Sequence, residues 1–472
     1  MTLEPVTPDL IAKLKARIDP ACFRDIDPKY LTEPRGLFKG VAGLVLAPTT
    51  VVEVSEIVQV CHAFGVGVIP YGGGTGLVGG QVVTDIPAPV ILSLERMNKI
   101  RDLDAPGNVI IVEAGCVLSN IQEAADRGGR LFPLSLAAEG SCQIGGNLST
   151  NAGGVGVLRY GSARDLCLGI EAVLPDGSIW NGLKNLRKDN TGYDIKNLLI
   201  GAEGSLGIIT AASLKLSPKP DQNLAALLQI PNPTAALALL DSCRAKLGGA
   251  VSAFELINRQ GLNFVAEKIP QVRLPFADPS EWMLLIDLGI VGDFDVAGQF
   301  ENLLSKGIEE GLVLDALIAQ NETQRQEFWK MREAIPEANR LVGAIYSHDI
   351  SVPVGKIPAF IKQAGLLVAQ IGAFRINCFG HVGDGNLHYN VYPPKRHSRD
   401  EFQAVRNQIK DSVYGLVDSL GGSISAEHGV GRMKIADMEK YCDATKLATI
   451  HAIKRALDPK GIMNPGAVVP LD

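Results

Sequence analysis

The stretch YGGGTGLVGG, residues 71–80, carries the first chemical information in the sequence. Glycines let a backbone approach a ligand closely and turn its N–H groups towards phosphate oxygens. Gly74, Gly76 and Gly79 also spell G-x-G-x-x-G after the strand-like VGVIP, as in a Rossmann dinucleotide site. That fold needs a helix opening at the glycines, but the proline-containing, β-branched GQVVTDIPAP follows here. We therefore expect a phosphate-binding loop of another kind.

Two further glycine clusters repeat this chemistry. GSCQIGGNLSTNAGG, residues 140–154, combines five glycines with two asparagines and several hydroxyl side chains. GAEGSLGIIT, residues 201–210, ends in a strand-like run. Such segments are poor material for a core but offer many backbone donors to a large polar ligand. Three of them argue against the simpler interpretation that the first is only a structural turn.

The bulk composition limits the class of protein. The 472 residues are too many for one ordinary core, and 46% are hydrophobic. The formal net charge of -6 argues against a nucleic-acid partner. We expect no transmembrane segment, since no apolar run approaches the roughly 20 residues required, and no secretory signal. Eight cysteines without a C-x-x-C pair indicate reduced thiols, a cytoplasmic location and no built-in haem or iron–sulfur carrier.

In their order along the chain, the glycine clusters resemble the FAD-binding domain of the p-cresol methylhydroxylase / vanillyl-alcohol oxidase family. NLSTNAGG, RYGS, LRKDNTGYD and GAEGSLGIIT resemble its D-2-hydroxyglutarate and D-lactate dehydrogenase branch. The resemblance extends from about Gly43 to NPG at 464–466. It implies FAD, held without a covalent link because no His or Cys matches a tethering position. The implied contacts are Gly72, Gly73, Gly74, Thr75, Gly76 and Leu77 at the pyrophosphate, Ser141, Gly145, Gly146, Asn147, Thr150, Asn151 and Gly154 along the flavin and its linker, Gly207 and Ile209 towards the adenine, and Asn464 near the isoalloxazine.

The alternation of short strands and helices predicts an α+β fold. We expect an N-terminal helical segment over residues 1–37 and a two-subdomain FAD-binding domain of the p-cresol methylhydroxylase type over 38–217. An α+β substrate (cap) domain over 218–420 and a C-terminal helical segment over 421–472, returning to the flavin, complete the prediction. The boundary between the FAD-binding domain and the cap domain falls at SPKPDQN, residues 217–223, because its two prolines interrupt both helix and sheet.

Histidines cluster in one part of a chain that has only seven of them. His381 and His388 flank a tight Gly-Asp-Gly turn in HVGDGNLHYN, and Glu427 and His428 follow in AEHGVG. Two imidazoles and a carboxylate with an open position are the ligands of a catalytic divalent site, for which zinc is the first candidate. A buried, hydrogen-bonded turn is the simpler interpretation. The resemblance assigns His381, His388 and Glu427 as metal ligands and His428 as the base.

The chemistry connects these residues to a 2-hydroxy acid. A bound metal would stabilise the developing alkoxide, a neutral histidine would accept the hydroxyl proton, and FAD would supply the hydride-accepting chemistry. Arg332 matches the family's carboxylate-binding arginine, and a guanidinium suits a carboxylate. Asn390 shares a strand face with His388 if NLHYNV is a strand, so it is a second candidate for substrate binding.

The sequence leaves more than one candidate for the substrate and for the electron acceptor. Members of the branch that are specialised for D-2-hydroxyglutarate typically carry Thr and Lys where this chain has Pro336 and Ser347. We therefore expect D-lactate or a longer monocarboxylic D-2-hydroxy acid, with D-2-hydroxyglutarate as the alternative. Electrons are expected to leave through a diffusible acceptor, an electron-transferring flavoprotein or quinone, and a homodimer is allowed. The alternative hypotheses for the function are a flavin-dependent enolpyruvyl reductase or alcohol oxidase, a flavin-free metallohydrolase, and a non-catalytic metabolite-binding protein.

Overall fold

Strands and helices alternate along the whole chain in the computed structural model, which describes residues 3–471. The strands are β1 (Phe23–Arg24), β2 (Leu44–Leu46), β3 (Val68–Tyr71), β4 (Val90–Ser93), β5 (Ile100–Asp104), β6 (Val109–Glu113), β7 (Arg130–Leu131), β8 (Cys167–Val173), β9 (Ile179–Gly182), β10 (Ile208–Lys215), β11 (Ser217–Pro218), β12 (Gln222–Ile230), β13 (Val251–Asn258), β14 (Trp282–Ile290), β15 (Asp315–Ile318), β16 (Tyr346–Ser351), β17 (Arg375–His381) and β18 (Asn386–Tyr392). The helices are α1 (Pro8–Lys15), α2 (Val51–Phe64), α3 (Leu118–Arg127), α4 (Ile144–Ser149), α5 (Val157–Tyr160), α6 (Ile195–Leu199), α7 (Pro233–Leu247), α8 (Arg259–Lys268), α9 (Val296–Glu309), α10 (Glu322–Val342), α11 (Ile357–Ile371), α12 (Gln403–Ser419), α13 (Ile435–Tyr441) and α14 (Ala444–Leu457).

The chain divides into two units. The first unit contains the residues up to Gly153, residues 161–219 and the residues from Glu427 onwards. The second unit contains residues 154–160 and 220–426. The predicted N-terminal segment therefore belongs to the same unit as the glycine clusters, and so does most of the predicted C-terminal segment.

Three sheets form the first unit. One has the order β1-β2-β4-β3, in which β2, β4 and β3 run parallel and β1 is antiparallel. The second, β5-β6-β10-β8-β9, is antiparallel throughout, and β11 pairs with β7. The residues that connect parallel strands β3 and β4, 72–89, form no helix. The Rossmann arrangement is therefore excluded, as the prolines of GQVVTDIPAP predict.

Two helices of the first unit show how local sequence fixes the elements. Helix α2 begins with a capping box formed by Thr50 and Glu53 and ends at Gly65, which has a left-handed backbone with φ 68°. The first helix of the predicted N-terminal helical segment, α1, ends at Lys15. Asp19 precedes Pro20, and the residue before a proline is disfavoured in a helix, so the chain turns before it reaches that point.

One seven-stranded antiparallel sheet organises the second unit, in the order β15-β12-β14-β13-β17-β18-β16. Helices α8 and α10 pack apolar side chains, among them Phe264 and Met331, onto one face through Leu285 and Phe379. Because side chains alternate between the two faces of a strand, Glu255, which lies opposite Leu285 and His381 in the register, points to that same face. The α+β prediction is confirmed by this mixture of sheets and helices.

Candidate active site

The first glycine loop lines an open cleft of the first unit. The cleft has an empty volume of about 900 Å³, which includes the space at its mouth that is open to solvent. Gly73 lies so close to the backbone of Ser141 and Cys142 that a Cβ would overlap the Ser141 carbonyl oxygen. Gly74 has φ +71°, and a Cβ on it would overlap the Tyr71 hydroxyl oxygen. These glycines are therefore required by the protein's own packing, which brings the loop against the second cluster.

The second cluster contributes buried polar atoms to the same cleft. Gln143 Oε1 and Asn147 Oδ1 are buried and have no hydrogen-bond partner among the residues described. Buried acceptors are normally paired, so two orphans in one cleft indicate a ligand that supplies donors. A Cβ on Gly145 would lie 2.7 Å from Ala114 Cβ, so a larger residue there would disturb the wall of the cleft.

Most of the predicted cofactor residues line this one cleft. They are Gly72, Gly73, Gly74, Thr75, Gly76, Gly145, Gly146, Asn147, Thr150, Gly207, Ile209 and Asn464. Three others in the described part of the chain, Leu77, Ser141 and Asn151, lie outside its lining, and Gly154 belongs to the second unit. The backbone of Ser141 packs against Gly73, and Asn151 Oδ1 accepts a hydrogen bond from the Arg164 N–H at 3.0 Å. These two residues support the loops around the cleft.

His428, the predicted base, lines the same cleft. The segment that follows it is held at several points within the first unit. The N–H groups of Val430 and Gly431 donate to the Glu203 carboxylate at 2.7 and 2.8 Å. Arg432 donates to the carbonyl oxygens of Gly79 and Gly80 and to Asn464 Oδ1, at 2.8–2.9 Å. Burial lowers the pKa of the Arg432 guanidinium to about 10, despite the attraction of nearby Glu203.

Glu427 lies beside the second glycine cluster. A Cβ on Gly153 would be 2.7 Å from Glu427 Oε1, so the carboxylate rests against a backbone position that only glycine leaves open. Glu427 and His428 each offer a potential ligand atom, and the two atoms lie within 4.8 Å of each other. The first unit thus supplies one carboxylate and one imidazole that are close enough to serve a single ion.

In the second unit, His381 and His388 are brought together by the hairpin of β17 and β18. Their ring centroids lie 5.8 Å apart. Gly385, with φ +93°, turns the chain where a Cβ would overlap the Val352 carbonyl oxygen, and Arg244 donates to the Gly383 carbonyl at 2.8 Å. The predicted tight turn and the predicted strand NLHYNV are both present, so His388 and Asn390 share a face of β18.

Glu255 connects the predicted metal ligand His381 with the predicted substrate residue Arg332. Its Oε1 lies 2.7 Å from His381 Nδ1, and its Oε2 accepts from Arg332 Nε and Nη2 at 3.0 and 2.7 Å. Burial alone would raise the pKa of Glu255, but the charges and hydrogen bonds of His381 and Arg332 lower it to about 2. Arg332 is 5% exposed, so it is not a solvated charge on the surface of helix α10.

Asp349 is a potential ligand that the sequence analysis missed. It faces His388 across the β16–β18 register, and its Oδ1 lies 3.9 Å from His388 Nδ1. Asn386 Nδ2 donates to the same carboxylate oxygen at 3.0 Å. The neighbouring row of side chains on the same face of the sheet is also polar, because Asn390 lies between Ser347 and Asn377 in the register. Asp349 and Glu255 each stand alone in sequence, and only strand pairing reveals their partners.

Comparison with known proteins places the chain in a family. Residues 42–182 match the family model "FAD binding domain", and residues 219–468 match "FAD linked oxidases, C-terminal domain". The chain belongs to the FAD-linked oxidase family. It is 40% identical, over 92% of its length and 76% of the relative's, to a "Probable D-2-hydroxyglutarate dehydrogenase, mitochondrial" of Oryza sativa subsp. indica. It is 34% identical to a "D-2-hydroxyglutarate dehydrogenase" of Stutzerimonas stutzeri (strain A1501), over 98% of this chain and 99% of that protein.

Solved structures share the fold at low sequence identity. A p-cresol methylhydroxylase with substrate bound matches with a TM-score of 0.77 at 17% identity, covering 99% of both chains. An alkyldihydroxyacetonephosphate synthase matches with a TM-score of 0.72 at 18% identity, over 98% of this chain and 86% of that one. These matches confirm the predicted fold family. The FAD-binding match also removes the basis for a flavin-free metallohydrolase.

Proposed function

We propose that this FAD-linked oxidase is a dehydrogenase that oxidises a D-2-hydroxy acid to the 2-oxo acid, using FAD and a divalent metal ion. The observation that carries the proposal is the cleft of the first unit, where three glycine-rich segments and His428 meet. The names of relatives that are 34–40% identical support the reaction class.

FAD fits the cleft on structural grounds. The glycine loop offers backbone donors to the pyrophosphate, and Gln143 and Asn147 hold buried acceptors that still need donors. Bound FAD supplies the hydride-accepting chemistry. The protein's part is to hold the flavin through Gly72–Gly76, Gly145, Gly146 and Asn464 and to keep His428 at the same cleft. We infer non-covalent binding because, among the residues that the structure describes, no cysteine and no histidine besides the proposed base His428 lines the cleft.

The metal ligands in this proposal are His381, His388 and Glu427. Glu255 accepts the Nδ1 proton of His381 and so presents Nε2 as the ligating nitrogen, an arrangement common among metal-binding histidines. The second unit ends at Ala426, whose N–H donates to the Asp349 carbonyl oxygen at 3.3 Å, and Glu427 is the next residue. Asp349 is a further candidate ligand. Nitrogen and carboxylate donors suit zinc, manganese, cobalt or iron, and zinc remains our first candidate.

The other residues have roles in binding and proton transfer. His428 accepts the hydroxyl proton of the substrate as a neutral imidazole. Arg332 and Asn390 bind its carboxylate. Because Nε and Nη2 of Arg332 are committed to Glu255, the Nη1 side of the guanidinium is the part available for a carboxylate. The buried Glu255 therefore fixes the arginine's orientation as well as the histidine's.

There are two candidates for the substrate, D-2-hydroxyglutarate and a monocarboxylic D-2-hydroxy acid. The relatives' names favour D-2-hydroxyglutarate. Pro336, inside helix α10, and Ser347, on strand β16, favour a monocarboxylic acid such as D-lactate, because neither offers a cation to a distal carboxylate. Losing a charge-assisted partner costs about 1.5–3 kcal/mol, or about ten- to a hundred-fold in binding.

Anaerobic reduction of the bound flavin tests both the reaction and the substrate. We expect D-2-hydroxy acids, and not their L-enantiomers, to bleach the flavin, and removal of the metal by a chelator to abolish this while FAD stays bound. The panel contains D-lactate, D-2-hydroxyvalerate, D-malate and D-2-hydroxyglutarate, each with wild type and a P336T/S347K double variant. A flavin that none of these acids reduces would refute the proposal. A wild-type preference for D-2-hydroxyglutarate above about tenfold in kcat/KM would eliminate the monocarboxylic candidate.

Cellular context is predicted only in outline. None of the described helices has both the length and the apolar character needed to cross a membrane. The plant relatives are named mitochondrial, whereas a cytoplasmic location for this chain remains a prediction. A diffusible acceptor, either an electron-transferring flavoprotein or a quinone, and a homodimer also remain predictions.

A further inference from the structure

Glu203 is a buried carboxylate of the first unit, and it contacts residues 428–431, which we call the His428 segment. Its two oxygens accept the N–H groups of Val430 and Gly431, one each, at 2.7 and 2.8 Å. The side chain lies in the lining of the FAD cleft beside Gly80, at 3.4 Å from a Cβ placed on that glycine. It therefore lies beside the glycine loop and is hydrogen-bonded to the segment after His428.

The backbone of the His428 segment is shaped to meet this carboxylate. Gly429 has φ +83° and Gly431 has φ +51°, so the chain bends in a way that L side chains rarely allow. A Cβ on Gly429 would lie 2.6 Å from Glu203 Oε1. Successive N–H groups in such a bend form a concave site for an anion, and the anion here is a side chain of the protein itself.

Glu203 is itself held in an uncommon conformation. It has φ +51°, in the left-handed region that few residues other than glycine adopt. Its N–H donates to the Ser149 carbonyl at 2.8 Å, and Asn464 Nδ2 donates to its carbonyl oxygen at 2.7 Å. Ser149 and Asn464 both line the cleft, so the position of the carboxylate is set by the same walls that surround the cofactor. Backbone strain of this kind persists only where the surroundings enforce it.

We propose that Glu203 is a positioning residue, which orients His428 at the flavin cleft by fixing the Val430 and Gly431 amides. The inference rests on the proposed role of His428 as the base. Glu203 acts through the backbone of the next turn, because both its carboxylate oxygens are already engaged. Its loss should therefore slow proton removal from the substrate without emptying the cleft of FAD.

Glu203→Gln and Glu203→Ala test this. The glutamine keeps one acceptor and turns an amide N–H₂ towards the second donor, whereas alanine removes both acceptors. We expect the rate of anaerobic flavin reduction, at saturating D-2-hydroxyglutarate or D-lactate, to fall by about ten-fold in the glutamine variant and about a hundred-fold in the alanine variant. KM should change less than threefold. FAD content, and reoxidation of dithionite-reduced flavin by a dye, should be unchanged, whereas a merely structural role would alter FAD content.

Glu171→Gln is the matched control. Glu171 is a carboxylate of the first unit, 5% exposed, and it pairs with Arg101 and Thr210 instead of the His428 segment. Its variant should reduce flavin at the wild-type rate. Hydrogen exchange adds a readout that needs no substrate: amides of residues 428–433 should exchange faster in both Glu203 variants and not in Glu171→Gln.

The outcomes separate the two ideas. Faster exchange with an unchanged reduction rate would overturn the proposal, because the amides would then be held without consequence for His428. A slower rate with unchanged exchange would also overturn it, since Glu203 would be acting directly. If wild type is reduced by neither acid, the proposed function fails, and the positional claim fails as well only if exchange is unchanged in both Glu203 variants.

Discussion

At the scale of single residues, the cleft depends on positions where the protein's own backbone leaves no room for a side chain. Gly73→Ala should overlap the Ser141 carbonyl oxygen and crowd Cys142 Cα, which would lie 2.9 Å from the new Cβ. Both obstacles are backbone, so the glycine loop has to move. We expect FAD affinity to fall by at least about tenfold, roughly 1.4 kcal/mol, measured by titrating apoprotein with FAD and following flavin fluorescence.

Gly140→Ala is the control for that substitution. Gly140 lies near the start of the second glycine cluster, and a Cβ there meets no atom within 4 Å. Its FAD affinity should match that of wild type. Equal affinities for the Gly73 and Gly140 variants would mean that the loop tolerates displacement and that close backbone approach is not what forms the site.

Residue chemistry also explains what sequence reasoning could and could not find. The glycine clusters and the histidine pair stand out because unusual residues are concentrated in short segments. Glu255 does not, since its partners His381 and Arg332 are 126 and 77 residues away. Asp349 and Glu203 were missed for the same reason: each is a single carboxylate whose role depends on long-range pairing.

At the scale of elements, the capping box of helix α2 is a local device with a measurable contribution. Glu53 accepts hydrogen bonds from the N–H groups of Thr49 and Thr50 at 2.8 and 3.1 Å. Burial opposes the charge on Glu53, but these bonds, the Thr49 backbone bond foremost, lower its pKa. Glu53→Ala should lower the opening free energy of α2 by about 1 kcal/mol, measured by native-state hydrogen exchange.

The pH dependence of that loss follows from the direction of the shift. A carboxylate whose pKa is lowered on folding stabilises the protein above its ordinary value of 4.5, and this contribution disappears as the pH falls through the lowered value. The difference between wild type and Glu53→Ala should therefore be complete at pH 7 and shrink below about pH 4. Glu56→Ala, which removes only the exposed pair with Arg17, should cost less at both pH values.

Elements were more predictable than their partners. The condition that NLHYNV is a strand is met by β18, and the prolines and β-branched residues after the glycine loop correctly predicted that no Rossmann helix follows it. Helix α1 ends at Lys15, and the Ile18 N–H still donates to the Leu14 carbonyl oxygen in a last turn before Asp19 and Pro20 stop the helix. Sequence periodicity reports which face of an element is apolar, but sheet order and register come from contacts that no local window contains.

At the scale of the whole molecule, the first unit is assembled from three separate stretches of the chain. Residues from Glu427 onwards return to it, where Met463 pairs with Val68 as an isolated bridge and Asn464 Nδ2 donates to the Gly80 carbonyl at 3.0 Å. The predicted return of the C-terminal segment has a physical consequence. The segment matched by the FAD-binding model, 42–182, does not contain all of the cleft's walls.

A chain that ends at Ala426 should therefore fail to retain FAD, although every glycine of the three clusters is present. It would lack Asn464 and Arg432, which between them bond to Gly79, Gly80 and the Glu203 carbonyl. The first unit would also expose the strand edge at Val68. A chain that ends at Val469 keeps all these contacts and serves as the control. We expect less than one tenth of the control's flavin per chain after gel filtration, because several buried hydrogen bonds of about 1 kcal/mol each are lost together. Equal flavin contents would show that the cleft is complete without its C-terminal wall, and would leave Glu427 and His428 as that segment's contributions to the site.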